Sequence, residues 1–478
     1  MPASRRLGRL AVALGLLALG HVDTVGATAA GPTMPNDATT SEFSIPIRHI
    51  VVIFQENHSF DNVLGRLCDQ IAEGVVSGHQ PCNGASEGRV STGELIPLAS
   101  SPDISPNTAH TVRGQRLAID GGKMDGFDRV GGCGAATGYA CYSQYHPFSG
   151  PCGATGGRSC IPNLVALARK FVISDRTFEF ATTPSWAGHM VLGSSTLDGF
   201  RGDNPERSRY SSQTGPGFGC DSYRDTRWWN GSSFVLQPSC VPNRAGEGPY
   251  RTSQVRFVPT IFDRLRAADR SWRIYGGKGS DDGGPGWQWT ICPTFYRCLG
   301  TSERNHLVDA SNVLDDARAG HLPNFAIVTP TERRSQHNGY SMSIGDNWIG
   351  RIVSSIEDGP DWTSTAIFIT YDDCGCFFDH VPPPRDRWGI RVPMVIVSPY
   401  AKAGHTDTQD ATYASILAYT EHVLGLVPLR DSDRRAYDYS HSFDYDQAPL
   451  AGVPMTHTPV PRAERRYIAE HAVPGDVT

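Results

Sequence analysis

The feature that most narrows the possible folds is the run His49-Ile50-Val51-Val52-Ile53-Phe54, which is apolar without alternation and then stops abruptly at Gln55-Glu56-Asn57. A strand that is hydrophobic at consecutive positions has both faces covered, as in a parallel sheet held between layers of helix. Similar short runs follow at Phe171 to Ser174, Trp272 to Tyr275, Phe325 to Val328, Ala366 to Thr370 and Met394 to Val397. Helical spacing of apolar residues separates them, at Asn163 to Arg169, Pro259 to Ala268, His306 to Ala319, Asn347 to Glu357 and Tyr413 to Leu424. The alternation predicts an α/β fold, an α/β/α sandwich with a mainly parallel central sheet.

Two stretches break the rhythm, residues 66–160 and 201–258, both dense in Gly, Ser, Pro and Cys. Neither has enough aliphatic periodicity for a core of its own, so they read as cap-like insertions. Ahead of the fold, Arg5, Arg6 and Arg9, the apolar Leu10 to Leu19 and the small residues Ala27-Thr28-Ala29 read as a signal peptide over 1–29. Residues 30–44, rich in Pro, Thr and Ser, read as a linker. The main domain is expected over 45–426, with 427–478 an extension packed on it or trailing from it. No later run approaches the roughly 20 apolar residues of a spanning helix, so a secreted or periplasmic protein is expected. The chain has 12 cysteines, an even number that suits an oxidising compartment. Those close in sequence, Cys68 and Cys82, Cys133 and Cys141, Cys152 and Cys160, Cys220 and Cys240, and Cys292 and Cys298, would staple the insertions if paired, although spacing leaves connectivity open. A net charge of -6, with Lys and Arg spread thinly, offers no face for a run of phosphates, which excludes nucleic acid as a partner.

In an open parallel sheet, ligands bind beyond the carboxyl ends of the strands. The first strand runs into Glu56-Asn57-His58-Ser59-Phe60-Asp61 and another into Tyr371-Asp372-Asp373. Glutamate, asparagine and aspartates at neighbouring strand ends are oxygen ligands for one divalent cation, whose identity they do not specify. Each motif also has a plain reading: Asn57-His58-Ser59 is a glycosylation sequon, and Asp372-Asp373-Cys374-Gly375 is a turn. Between them, Thr182-Thr183-Pro184-Ser185 opens a short helical pattern, where the helix dipole and a cation would favour a serine alkoxide. Ser185 could equally be a simple N-cap. His110, His337 and His380 lie in segments poor in aliphatic residues and are candidates for proton transfer.

The chain resembles the bacterial phosphoesterases that include phospholipases C and a respiratory-burst-inhibiting acid phosphatase. The resemblance rests on Ile50 through Asn62, on His110 with Met124-Asp125-Gly126-Phe127, and on Thr183-Pro184-Ser185-Trp186-Ala187-Gly188. It continues through Thr370-Tyr371-Asp372-Asp373, Phe378-Asp379-His380-Val381-Pro382-Pro383 and Arg391-Val392-Pro393 to Ser398-Pro399-Tyr400. It implies an alkaline phosphatase-like fold, Glu56, Asn57, Ser185, Asp372 and Asp373 as metal site, Ser185 as nucleophile, and His110, His337 and His380 as pocket histidines. Where the family has histidine and glycine, this chain has Cys374 and Cys376, expected in disulfides or, alternatively, as thiolate ligands.

The expected function is therefore a metal-dependent phosphoesterase working through a phosphoserine, most simply an acid phosphatase-type phosphomonoesterase. A phospholipase C acting on phosphorylcholine-type head groups is the alternative, with Trp228, Trp229, Trp287 and Trp289 available for an interfacial surface and peripheral membrane contact. A secreted binding protein that has lost catalysis is the third. Oligomeric state is not legible.

Overall fold

A computed structural model describes residues 45–149, 157–277 and 286–471 of the chain. The expected leader, the linker and Cys152 lie outside the described residues. Eight strands build the main sheet: β1 (His49–Gln55), β2 (Val172–Ser174), β3 (Trp272–Tyr275), β4 (Leu307–Val308), β5 (Phe325–Val328), β6 (Thr365–Tyr371), β7 (Met394–Val397) and β8 (His405–Asp407). Their order across the sheet is β4-β3-β5-β1-β6-β7-β2-β8. β7 alone runs antiparallel to its neighbours, and the other pairings are parallel.

The expected layering holds for a physical reason visible in β1. Residues Ile50 to Phe54 are fully buried, so side chains pointing to both sides of the pleat are covered. The helices that cover the sheet form two mutually contacting sets. One is α2 (Pro162–Lys170), α5 (Asn312–Ala319) and α6 (Met342–Glu357); the other is α3 (Ser185–Ser194), α4 (Ile261–Ala267) and α7 (Tyr413–Leu424). In α6, Ile349, Ile352, Val353 and Ile356 are buried at helical spacing, and Ser341 caps the start by accepting from the Ile344 N–H.

Some elements differ from the sequence reading. The helix expected from His306 starts only at Asn312, because Leu307 and Val308 pair with β3 as an edge strand. His306 stacks on Trp272 and points Nδ1 at its carbonyl, which holds the segment at the sheet. Strand β8 and helix α1 (Val112–Ile119) are too short or too polar to announce themselves. The 66–160 insertion does build a small core: Val90, Met124, Phe127 and Tyr142 pack with Phe377, Phe378 and Ile390 over the turn that follows β6. Four expected disulfides are formed, Cys68–Cys82, Cys133–Cys141, Cys220–Cys240 and Cys292–Cys298. Near the end of the described chain, Asn163 on α2 accepts from Thr456 N at 2.7 Å and Asn347 on α6 from Thr458 N at 2.7 Å. Among the described residues no helix is long and apolar enough to cross a membrane.

Because β1 is central and buried on both faces, Ile53→Ala is expected to lower unfolding free energy by about 2–5 kcal/mol. Urea denaturation should show this as a lower midpoint with an unchanged slope.

Candidate functional site

The site begins with register. β1 and β6 are adjacent and parallel, with Gln55 opposite Tyr371, so the chain leaves both strands at the same level of the same edge. Glu56 and Asn57 therefore emerge beside Asp372 and Asp373, and the Asp372 N–H donates to Gln55 O at 2.9 Å. Asn57 takes a left-handed backbone (φ 58°), which asparagine tolerates better than most residues. Its N–H donates to Asp372 Oδ1 at 3.0 Å.

Helix α3 brings the serine. Pro184 is extended and Ser185 is the first helical residue, so its hydroxyl sits at the positive end of the helix dipole. A Cβ on Gly188 would lie 2.5 Å from the Asp372 carbonyl oxygen, so glycine is what lets the helix backbone approach the strand end this closely. Ser185 Oγ lies 3.4 Å from the Asn57 side-chain amide. One turn later, His189 Nε2 is 3.0 Å from Glu56 Oε1 and 4.0 Å from Asp372 Oδ2. Glu56, Asn57, Ser185, Asp372 and Asp373 are all fully buried.

Buried carboxylates this close need positive charge. The donor atoms of Glu56, His189 and Asp372 form a group able to hold a metal ion, and Asp372 Oδ2 has no hydrogen-bond partner. Asn57 gives a second test of fit. Its amide satisfies all its neighbours when the NH2 faces Glu56 Oε2 and Asp372 Oδ1, each at 3.0 Å, and the oxygen accepts from His110 Nε2 at 2.7 Å and His337 Nε2 at 3.0 Å. The opposite orientation turns the amide oxygen on those carboxylates, which only a cation among them makes favourable. In that orientation the NH2 donates to both imidazoles in their neutral form, their Nδ1–H groups being held by Thr108 O and Asn338 O. The residues present thus fit a metal ion.

His110 and His337 are brought to this centre through Asn57, and Trp289 stacks on His337 with ring centroids 5.9 Å apart. The four tryptophans do not share one surface: Trp289 is buried, Trp287 Nε1 donates to Asp221 and Trp228 Nε1 to the Asp198 carbonyl, while Trp229 is 45% exposed.

His380 is held by Asp61 and Asn83. Its Nδ1 is 2.5 Å from Asp61 Oδ2 and its Nε2 2.9 Å from Asn83 Oδ1. Burial pulls its pKa down, but the Asp61 carboxylate more than offsets this, so the net shift is upward. Asp61 and Asp379 are in turn bound by the buried Arg391, whose guanidinium lies 3.0 Å from Asp61 Oδ1 and 3.1 Å from both Asp379 oxygens. Asp61, Asp379 and His380 are also spaced to hold a metal ion, and here an internal arginine lies against the two carboxylates.

Cys374 and Cys376 correct the disulfide expectation. Both are free and buried, with sulfurs 3.9 Å apart, and the Cys376 N–H is directed at Cys374 Sγ. Burial pushes both thiols above their ordinary range, and neither sulfur belongs to the metal-competent group.

Two residues escaped the sequence reading. His189 carries a signal that was available, since it lies one helical turn after Ser185 and so on the same face. Glu179 carries none. It is fully buried, and burial followed by the Cys374 thiol raises its carboxyl well above the usual range. It accepts from Cys374 N at 2.8 Å and Thr183 N at 3.4 Å, tying the serine segment to the aspartate turn.

Comparison with known proteins gives the same direction. The model of the Phosphoesterase family matches residues 47–427. A non-specific phospholipase C5 of Arabidopsis thaliana is 23% identical over 76% of this chain, which spans 65% of that protein. A non-hemolytic phospholipase C of Pseudomonas aeruginosa is 23% identical over 91% of this chain, which spans 64% of it. The chain thus covers slightly less than two thirds of these relatives. A solved alkaline phosphatase superfamily protein from Vibrio parahaemolyticus overlaps 61% of this chain and 65% of its own at 14% identity and a TM-score of 0.33.

Two outcomes are expected. Divalent cations should raise the melting temperature of the purified protein, and Asp372→Asn should remove most of that rise in calorimetry. Arg391→Ala should destabilise the fold by about 3–5 kcal/mol, read by urea denaturation, because it strands two buried carboxylates.

Proposed function

The chain belongs to the Phosphoesterase family, and from that premise we propose that it is a metal-dependent hydrolase of phosphate esters with Ser185 as nucleophile. The observation that carries the reading is the meeting of Glu56, Asn57, Ser185 and Asp372 from three distant segments, with a buried Asp372 oxygen left for a cation.

Glu56, Asn57, Asp372, Asp373 and Ser185 would hold one divalent cation, with His189 beside them, and that ion supplies electrostatic stabilisation of the charge developing on the phosphoryl oxygens. The protein's own groups do the rest. Ser185 Oγ, favoured as an alkoxide at the helix terminus, attacks phosphorus in line while the bond to the ester oxygen breaks. The proton given up by the Ser185 hydroxyl passes to Nε2 of His110 or His337, which accepts it in place of the Asn57 NH2 and then gives it to the departing oxygen. Water then attacks the phosphoserine, releasing phosphate or its monoester and restoring the hydroxyl. Burial of the whole group makes each of these electrostatic effects larger than it would be in water. His380, engaged by Asp61 and Asn83, is a positioning residue in this scheme.

The relatives' names favour a lipid phosphodiester over the monoester expected from the sequence. An exported protein, cleaved after the leader, accords with the disulfides. Retention of the whole ligand set speaks against a decayed binding protein.

Ser185→Ala should reduce turnover by roughly a thousandfold or more while leaving the cation-induced rise in melting temperature intact. Near-normal turnover would remove the serine from the mechanism. Release from a phosphorylcholine diester should exceed release from a small phosphomonoester with the purified protein; the reverse preference would make the enzyme a monoesterase.

A further inference from the structure

Three chain segments that carry site residues continue into the wall of a cleft of about 710 Å³. Helix α1, which follows His110, contributes Arg116. The segment leading to Ser185 contributes Thr182, and the segment after Asp373 contributes Arg385, Arg387 and Trp388. The wall is tied to the site directly, since Gln115 on α1 donates from Nε2 to the Thr183 carbonyl at 2.8 Å.

This wall departs from the thin spread of Lys and Arg read from the sequence, in a chain of net charge -6, because folding gathers arginines from distant segments. Arg116, Arg201, Arg385 and Arg387 line it against a single carboxylate, Asp386, and Arg113 extends the basic strip along α1. Arg201 is paired with Asp203, and the Arg385 guanidinium lies over the Trp388 ring at 5.0 Å. Arg113, Arg116 and Arg387 form no ion pair among the described residues. Another part of the rim exposes aromatic side chains. The antiparallel strands Arg224–Trp229 and Phe234–Pro238 form a hairpin, and its tip leaves Phe234 48% and Trp229 45% exposed with their rings 5.3 Å apart. Phe234 is also part of the cleft lining.

A strip of unpaired arginines next to exposed aromatics matches the boundary of a lipid layer, where guanidinium groups meet head-group phosphates and rings enter the acyl border. We propose that this rim is a docking surface for an anionic lipid bilayer, with the hairpin tip inserted and Arg113, Arg116 and Arg387 on the head groups. This deepens the phosphoesterase reading, since a surface seated there would bring lipid esters to a cleft whose wall includes Thr182 of the segment leading to Ser185.

The test uses the full chain carrying Ser185→Ala, so that binding is read apart from turnover. Cosedimentation is measured with vesicles of phosphatidylcholine alone and of phosphatidylcholine with phosphatidylglycerol at about 7:3. The protein should bind the anionic vesicles, leave the neutral ones in solution, and be released as salt is raised. Adding R116Q and R387Q should weaken that binding on the order of 25-fold, about fivefold for each arginine, at an unchanged melting temperature. Phe234→Ser should weaken it as well. Equal binding to both vesicle types, no binding to either, or retention of full affinity by the arginine variant would each overturn the docking surface. Inhibition of wild-type turnover by a soluble anion, without vesicle binding, would assign the arginines to a small ligand instead. Turnover of a soluble phosphate ester by the wild type is scored separately. Its absence sinks the phosphoesterase reading and leaves the vesicle result standing.

Discussion

The parallel pairing of β1 with β6 is the constraint on which the rest of the site depends. With Gln55 opposite Tyr371, the next residues of each strand, Glu56 and Asp372, are delivered to the same place below the surface. Two buried carboxylates in contact repel, and the neighbouring structure is organised around that fact. Gly188 lets the positive end of α3 come within reach of Asp372, His189 faces Glu56, and Asn57 presents a group that can face anions with either hydrogen or oxygen.

Two of the buried acidic groups are treated differently. Asp61 and Asp379 are neutralised by Arg391, a permanent cation of the chain whose guanidinium also lies over the Phe60 ring at 4.1 Å. That arrangement is closed: both carboxylates have their partners, and His380 sits at its edge. Among the described residues no arginine is bound to Asp372, whose Oδ2 has no hydrogen-bond partner. An acidic cluster satisfied from within serves the fold, whereas one left short of positive charge is available to bind.

Much of this was legible in the sequence because strands buried on both faces leave an unmistakable run of apolar residues. All six expected strands of the sheet are present, and the polar residues that follow Gln55 and Tyr371 stand where an open sheet binds ligands. What was not legible depended on three-dimensional proximity. Nothing near Glu179 in sequence reveals that it bridges Thr183 and Cys374. Nothing near His380 reveals that its imidazole is held by Asp61 and Asn83. The free Cys374 and Cys376 illustrate the same limit, since an even cysteine count constrains pairing only in total and leaves individual thiols undetermined. Short edge strands such as β4 and β8 have too few residues for any period to register.

The central strand is also the first to be made. β1 lies in the middle of the sheet, yet the strands on either side of it begin only at Phe325 and Thr365. During synthesis, this apolar segment waits on the order of tens of seconds before a neighbour exists to cover it. Closing such a long loop is slow, and the exposed strand invites aggregation meanwhile. The cluster around Asp372, which needs both strands, is accordingly among the last features to appear.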